Sequence, residues 1–236
     1  MDKKSIQLSP NSLNLFLECP HCFWLEKKAS VKRPPLYPYI LNTAVDSLLR
    51  EEFDTYRSKN LVHPLIKDLS EKSGKKIKAH LFSNQKLLNQ WRNNLAGIRY
   101  FDPELNATLI GALDDVLEFE DGEIAPLDYK TTEKTAAKIY DRFQLQLDVY
   151  TFLMEKNGFA TPRKGYLAFY IVDKSKGFID RLPFRKELIE IETNPSDIYE
   201  IFKDAVKCLQ NQTPPPHSHD CKFAKWIEGA SPYQKN

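Results

Sequence analysis

Two stretches decide how this chain is read: Gly111-Ala112-Leu113-Asp114-Asp115-Val116 and, beyond the turn Glu120-Asp121-Gly122, the run Leu127-Asp128-Tyr129-Lys130-Thr131. Residues 107–119 and 123–130 are rich in strand-forming side chains, and a glycine at the third place of a three-residue loop suits the left-handed position of a hairpin. Such a hairpin sets Phe119 opposite Glu123. Counting back along both strands sets Asp114 opposite Asp128, and strand alternation puts Lys130 on the same face as Asp128. A two-residue loop would bring Asp115 into that place instead. Pro126, which has no N–H for the ladder, leaves the pairing open to irregularity.

Two carboxylates facing each other across a hairpin repel unless a cation lies between them. Oxygen ligands without a nearby histidine select a hard ion such as Mg2+ or Mn2+, which can hold a phosphate oxygen and lower the pKa of a water. The Lys130 ammonium can orient that water, take its proton if the site depresses the lysine pKa, and offset charge developing on phosphorus. These parts suit phosphodiester hydrolysis. The same residues also suit a solvated hairpin in which Asp114, Asp115 and Asp128 meet water and Lys130 makes a weak ion pair.

Upstream, Ser9-Pro10 with Leu13, Phe16 and Leu17, then Phe23, Trp24 and Leu25, has the cap, early proline and spacing of an amphipathic helix, bent or interrupted at Cys19-Pro20-His21-Cys22. Residues 32–38 carry three prolines and read as a connector. A helix resumes over 40–56, with Leu41, Val45, Leu48, Leu49 and Phe53 on one face. Residues 67–78 read as a charged loop with Lys72, Lys75, Lys76 and Lys78 around Gly74, either a solvated face or a phosphate contact. Ser83 reads as the N-cap of a helix carrying Leu87, Leu88, Trp91 and Leu95.

Downstream, a long amphipathic helix is expected over 136–156, stopped by Asn157-Gly158. Strands over 165–172 and 177–184 are expected to pair around a turn, and a last helix opens at Pro195-Ser196-Asp197 and runs through Leu209. This order predicts an α/β sandwich with a central mixed β-sheet and helices on its faces. It divides into an N-terminal helical region over about 1–100, a core over about 101–185, and a C-terminal helix and tail over about 186–236, all in a single domain.

The 236 residues, 42% of them hydrophobic, can bury one core. With 34 Lys and Arg against 32 Asp and Glu, the net charge is only +2, so any nucleic-acid surface has to be a local patch. No window approaches the ~18 apolar residues of a membrane span, and the first residues lack a secretory apolar run, which predicts a cytoplasmic protein with no membrane partner. In that compartment Cys19, Cys22, Cys208 and Cys221 do not form a disulfide scaffold; metal binding, redox chemistry or plain burial remain. Cys208, beside Val206 and Leu209 on an apolar face, reads as a buried inert thiol. Cys19-Pro20-His21-Cys22 also has the form of a thiol-disulfide oxidoreductase motif, a reading that needs a strand directly before Cys19 and usually an exported protein, whereas the preceding residues fit a helix better; a strongly depressed thiol pKa would favour it.

The order of these motifs resembles the PD-(D/E)XK nuclease superfamily, particularly its RecB-like branch, which includes CRISPR-associated exonucleases. Gly111-x-x-Asp114, a strand, a turn and Leu127-Asp128-Tyr129-Lys130-Thr131 stand where the family's core stands. Residues 15–25, with Cys19-Pro20, are similar to the branch's opening helix. Gln146-Leu147-Asp148-Val149-Tyr150 is similar to its Gln-x-x-x-Tyr helix, whose spacing puts Gln146 and Tyr150 on one face. Cys221-Lys222-Phe223 resembles the first part of a terminal Cys-x-x-Cys.

The resemblance implies a restriction-endonuclease-like fold and a metal-dependent DNA nuclease of repair, recombination or defence. In it Asp114 and Asp128 bind the ion, the backbone carbonyl of Tyr129 adds a ligand, Lys130 assists the water, and Gln146 positions the site or touches DNA with Tyr150 nearby. Two positions depart from the family pattern. Relatives often carry a histidine where Asp46 stands, which makes Asp46 either a ligand of a hard cation or a solvated helix residue. Some relatives hold a four-cysteine iron-sulfur cluster. Cys19, Cys22 and Cys221 could contribute to one, but Ala224 stands where the last cysteine would; Cys208 could substitute, though its apolar face favours a buried inert thiol, so a lost or partial cluster is expected. The remaining alternative is a catalytically idle nucleic-acid binding module of the same fold, against which the intact Asp114, Asp128 and Lys130 speak.

Overall fold

The computed structural model describes residues 5–34, 40–73, 78–134, 136–178 and 180–230. In chain order its strands are β1 (Ile6–Leu8), β2 (Ala79–Leu81), β3 (Ile98–Asp102), β4 (Ala107–Gly111), β5 (Asp115–Phe119), β6 (Ile124–Thr132), β7 (Lys164–Val172) and β8 (Phe184–Glu192). Its helices are α1 (Pro10–Glu18), α2 (Pro20–Lys28), α3 (Ile40–Ser58), α4 (Pro64–Ser73), α5 (Gln85–Trp91), α6 (Asp141–Lys156), α7 (Ile198–Gln210) and α8 (Lys222–Ala230). The chain forms two compact units, one of Met1–Pro38, Phe101–Leu109 and Asp197–Asn236 and one of Tyr39–Tyr100 and Ile110–Ser196.

In the first unit, β1 runs parallel to β4, pairing Ile6 with Ala107 and Leu8 with Leu109. The Ser9 side chain caps α1 by accepting from the Ser12 N–H, and Pro10 fills the first turn, where its missing N–H costs nothing. The helix cannot run on through Pro20. Cys19 therefore takes an extended backbone, still donating its N–H to Leu15, and Pro20 begins α2 in a new direction. Helix α7 packs against both α1 and α2.

The second unit is built on a five-stranded mixed sheet of order β2-β5-β6-β7-β8. The β5–β6 hairpin turns through Glu120-Asp121-Gly122, with Gly122 at φ 84° and the Phe119 N–H donating to the Glu123 carbonyl at 2.9 Å. Its register pairs Asp115 with Leu127 and Leu117 with Ala125, the three-residue count expected from the sequence. Strands β6 and β7 are parallel, joined through α6, and β8 returns antiparallel to β7. One face of the sheet (Ala125, Leu127 and Tyr129 of β6; Tyr166, Ala168 and Tyr170 of β7) packs on Leu49 and Phe53 of α3 and on Leu65 and Ile66 of α4. The opposite face, with Leu167, Phe169 and Ile171, packs on Leu147 of α6.

Several expected elements are corrected. The strand expected over 107–119 is two strands, because the segment breaks between Gly111 and Asp115 and β4 and β5 belong to different sheets. The Leu113 N–H is given to Trp91 instead of to a neighbouring strand. Residues 67–78 are not all loop: α4 forms because Leu65 and Ile66 are buried with Leu69 packed beside them, while Gly74, Lys75 and Lys76 lie outside the described residues. The cap of α5 is Asn84, since Ser83 is bound through both its N–H and its hydroxyl to Glu118. The long helix begins at Asp141, after an extended Tyr140. The strand expected over 177–184 is β8 at 184–192; the Asp173 side chain caps a tight turn at Lys174–Lys176 and Gly177 adopts φ 66°, which delays pairing to Val172 and Phe184. Strands β1, β2 and β3 have no counterpart in the sequence reading. No helix among the described residues is long and apolar enough to cross a membrane.

Gly111 is fixed by the packing of α6. A Cβ there would stand 2.9 Å from Leu153 Cδ1 and 3.0 Å from the Tyr150 ring, both on the buried side of that helix. Gly111→Ala is expected to lower stability by about 1–3 kcal/mol, the usual range for overpacking, read as a lower urea midpoint at constant m value. An unchanged midpoint would show that the segment yields freely.

Candidate active site and cysteine cluster

The break after Gly111 places Asp114 one step beyond the end of β5, where the register brings it to the level of Asp128. Its carboxylate is held from two sides. Oδ2 accepts from the backbone N–H of Tyr129 at 3.2 Å, and Oδ1 accepts from Arg50 of α3 at 2.9 Å. Asp128 lies in the middle of β6 and is 2% exposed, paired with the ammonium of Lys130 two residues on. Lys130 also donates to Gln146 Oε1 at 3.0 Å and lies 4.5 Å from the centre of the Phe143 ring.

From there a chain of hydrogen bonds runs back to the break. Gln146 Nε2 donates to the Tyr150 hydroxyl at 2.8 Å, and that hydroxyl donates to the Ala112 carbonyl at 2.7 Å. The Gln146 amide is thereby oriented, because an ammonium offers only donors and the tyrosine hydroxyl has already spent its proton. The structure thus brings Asp114, Asp128, Lys130 and Gln146 together. Tyr150 joins them from beneath: it is 3% exposed and its hydroxyl is committed, so it supports Gln146 instead of standing open to a substrate. The Asp114 and Lys130 side chains keep 22% and 17% exposure, so the site opens to solvent.

Asp115 goes the other way. Strand alternation turns it to the α3 face, where it is wholly buried between Arg57 and Arg92 and accepts from the Tyr129 hydroxyl at 2.6 Å. Asp54 completes the network by pairing with both arginines. A carboxylate with two guanidiniums and a phenol has no place left for a cation, which removes the alternative in which Asp115 replaces Asp114.

Burial raises the Asp128 carboxyl to about 7; Lys130 pulls it down and Asp114 pushes it up. Burial likewise raises Asp46, with the charge of Asp114 adding to it and Arg50 and Lys130 opposing. Asp46 therefore shares an electrostatic environment with the Asp114 and Lys130 charges. Sequence reading missed Arg50, Arg57 and Arg92. Arg50 carried one legible signal, its place four residues after Asp46 on one helix face.

A second cluster lies within the first unit. Cys19, Cys22, Cys221 and His217 each offer an atom, all within 4.8 Å of one another. Cys22 Sγ is 3.7 Å from Cys221 Sγ, and His217 Nδ1 is 3.4 Å from Cys19 Sγ and 3.9 Å from Cys22 Sγ. The three expected cysteines do meet, with His217 and not Cys208 as fourth member; its signal was the His-x-x-x-Cys spacing to Cys221. Cys208 is buried in α7, where burial raises its pKa. Ala224 sits in α8.

Burial by itself would raise the Cys19 thiol, but hydrogen bonds from the Cys22 and Ser218 backbone and from the His217 and Cys22 side chains bring it down to about 6. Burial pushes Cys22 up to about 11 against the pull of Arg33. The oxidoreductase reading needed a strand directly before Cys19, and that element is helix α1.

The raised Asp128 value carries a sign. The folded protein keeps a proton that the unfolded chain releases near the usual carboxylate value, so ionising Asp128 costs stability as pH rises from about 4 to about 7. In chelator, Asp128→Asn is expected to gain on the wild type across that window in pH-stepped urea unfolding. A pH-independent difference between the two would contradict the burial of an acid there.

The family described as the PD-(D/E)XK nuclease superfamily matches residues 7–226. No curated protein matches the chain. A solved structure described as "Crystal structure of SSO0001" is 15% identical, with 90% of this chain and 81% of that chain covered and a TM-score of 0.41, a likeness too loose to bear on fold or function. The mixed sheet flanked by helices is consistent with a restriction-endonuclease-like fold, and with nearly the whole chain matched, the protein belongs to the PD-(D/E)XK nuclease superfamily.

Proposed function

We propose that this chain is a divalent-metal-dependent deoxyribonuclease of the RecB-like branch, acting on cytoplasmic DNA in repair, recombination or defence. The observation that carries the reading is the approach of Asp114 and Asp128 from neighbouring strands with the Lys130 ammonium beside them. DNA as the substrate rests on the resemblance in motif order.

The donor set fits a hard ion. Asp114 and Asp128 offer oxygen alone, and a buried carboxyl raised to about 7 in the free protein is one that a cation would favour in its ionised form. Asp114 and Asp128 would hold Mg2+ or Mn2+, with the Tyr129 carbonyl and Asp46 as further ligands. When bound, the ion supplies Lewis acidity toward a phosphate oxygen and makes water more acidic.

The chain's own residues do the rest. Gln146 fixes the Lys130 ammonium through its amide oxygen, and Tyr150 fixes Gln146. Lys130 can then orient the attacking water and meet the charge that develops on the phosphoryl oxygens. Arg50 compensates Asp114 in the free protein and is placed to meet a phosphate when a cation takes that carboxylate over.

Cleavage of labelled duplex DNA, single-stranded DNA and RNA with Mg2+, Mn2+ or chelator tests the reading. DNA should be degraded only with metal, Asp114→Asn and Asp128→Asn should abolish this, and Lys130→Ala should slow it about 10²–10⁴-fold while DNA binding persists. Metal should raise the Tm of the wild type but not that of Asp128→Asn. Binding without cleavage in either metal would instead make the chain an idle module, and cleavage of RNA alone would overturn the substrate.

A further inference from the structure

We infer that Cys19, Cys22, His217 and Cys221 hold a single Zn2+ ion, which ties the α1–α2 junction to the segment leading into α8. The distances decide between one ion and a cluster. Four ligands on one tetrahedral zinc, with Zn–S near 2.3 Å, stand about 3.8 Å apart for sulfur pairs and slightly less for sulfur and nitrogen. Here the separations are 3.7 Å between Cys22 and Cys221 and 3.4 and 3.9 Å from His217 Nδ1 to Cys19 and Cys22.

A four-iron cluster places each thiolate on its own iron at the corner of a metal–sulfide cube, so its ligand atoms stand more than one and a half times as far apart. A set confined within 4.8 Å, with three thiols and one imidazole, has no room for it. The iron-sulfur cluster that the family resemblance suggests therefore does not fit these residues.

The surroundings are arranged for one ion. Cys19, Cys22 and Cys221 are all buried. The His217 ring stacks on His21 at 3.6 Å between centroids, and His21 Nδ1 is 2.7 Å from the Pro215 carbonyl, so the imidazole is held with Nδ1 toward the sulfurs. Three thiolates and a neutral imidazole around Zn2+ leave one net negative charge. Arg33 answers it, its guanidinium set between Glu18 and Cys22. Four protein ligands leave no open position, which makes the site structural. It joins residues 198 positions apart in sequence, and such a closure removes much of the freedom of an unfolded chain.

The test is metal analysis of the full chain, expressed with zinc and iron both supplied and purified with and without air. One zinc per chain is expected under both conditions, without stoichiometric iron or acid-labile sulfide. Replacement by Co2+ should give the intense visible bands of a tetrahedral thiolate site. His217→Ala should weaken zinc binding by more than about 100-fold, beyond the loss of an outer-shell partner, whereas His217→Cys should keep one equivalent. Asp114→Asn should also keep it, which separates this site from the carboxylates. Iron with sulfide in the anaerobic protein, a zinc-free chain with four titratable thiols, or full zinc affinity in His217→Ala would each overturn the assignment.

Discussion

The repulsion between Asp114 and Asp128 is the constraint around which the second unit is arranged. Two carboxylates brought level on neighbouring strands separate unless something holds them. Here the holding groups are built into the backbone and its neighbours: the Tyr129 N–H and Arg50 on Asp114, Lys130 on Asp128. The chain does not pair its acids off completely, since burial keeps Asp128 up near 7 in spite of the lysine. In the proposed chemistry a cation would replace that proton, which is the property that links the architecture of the site to the proposal.

The register that makes this possible is set by the three-residue loop at Gly122 and matched by contacts on the other face of the sheet. Adjacent aspartates occupy positions 114 and 115, and a slip of one residue would exchange them. Arg57 and Arg92 prevent the exchange by enclosing Asp115, while Tyr129, between Asp128 and Lys130 in sequence, reaches to the same face and seals the network with its hydroxyl. Ionic groups buried in this way contribute little net stability compared with apolar packing. Their effect is to choose one pairing of two strands over another. The same logic holds on the α6 side, where Gly111 admits the Tyr150 ring and Tyr150 holds both Gln146 and the carbonyl of Ala112.

The first unit handles its ends differently. Its helices are short, and α2 lacks a side-chain cap at its start, where Cys19 stands instead. Three thiols and an imidazole gather at that point, with Arg33 against them, and the proposed zinc would make of them a cross-link where a small apolar core alone has little to offer. The histidine at position 217 thus bears on which kind of metal centre the residues fit.

What the sequence determined by itself is what depends on neighbours along the chain. Gly122 takes the left-handed conformation that a three-residue loop requires, and from that one residue the level of Asp114 with Asp128 follows by counting. The Ser9 cap of α1, the prolines that open α1 and α2 and the Gln146–Tyr150 pair on α6 are local in the same sense. Tertiary structure decided the rest. Arg50, Arg57 and Arg92 look like surface cations until folding sets carboxylates against them, and Leu65 and Ile66 turn a charged segment into a helix because a core lies beneath. His217 has Cys221 four residues on, but Cys19 and Cys22, which complete its surroundings, come from almost two hundred positions away. Short-range conformational preference can be read from a few residues, whereas a partner for a charge or a thiol is set by where the whole chain happens to bring it.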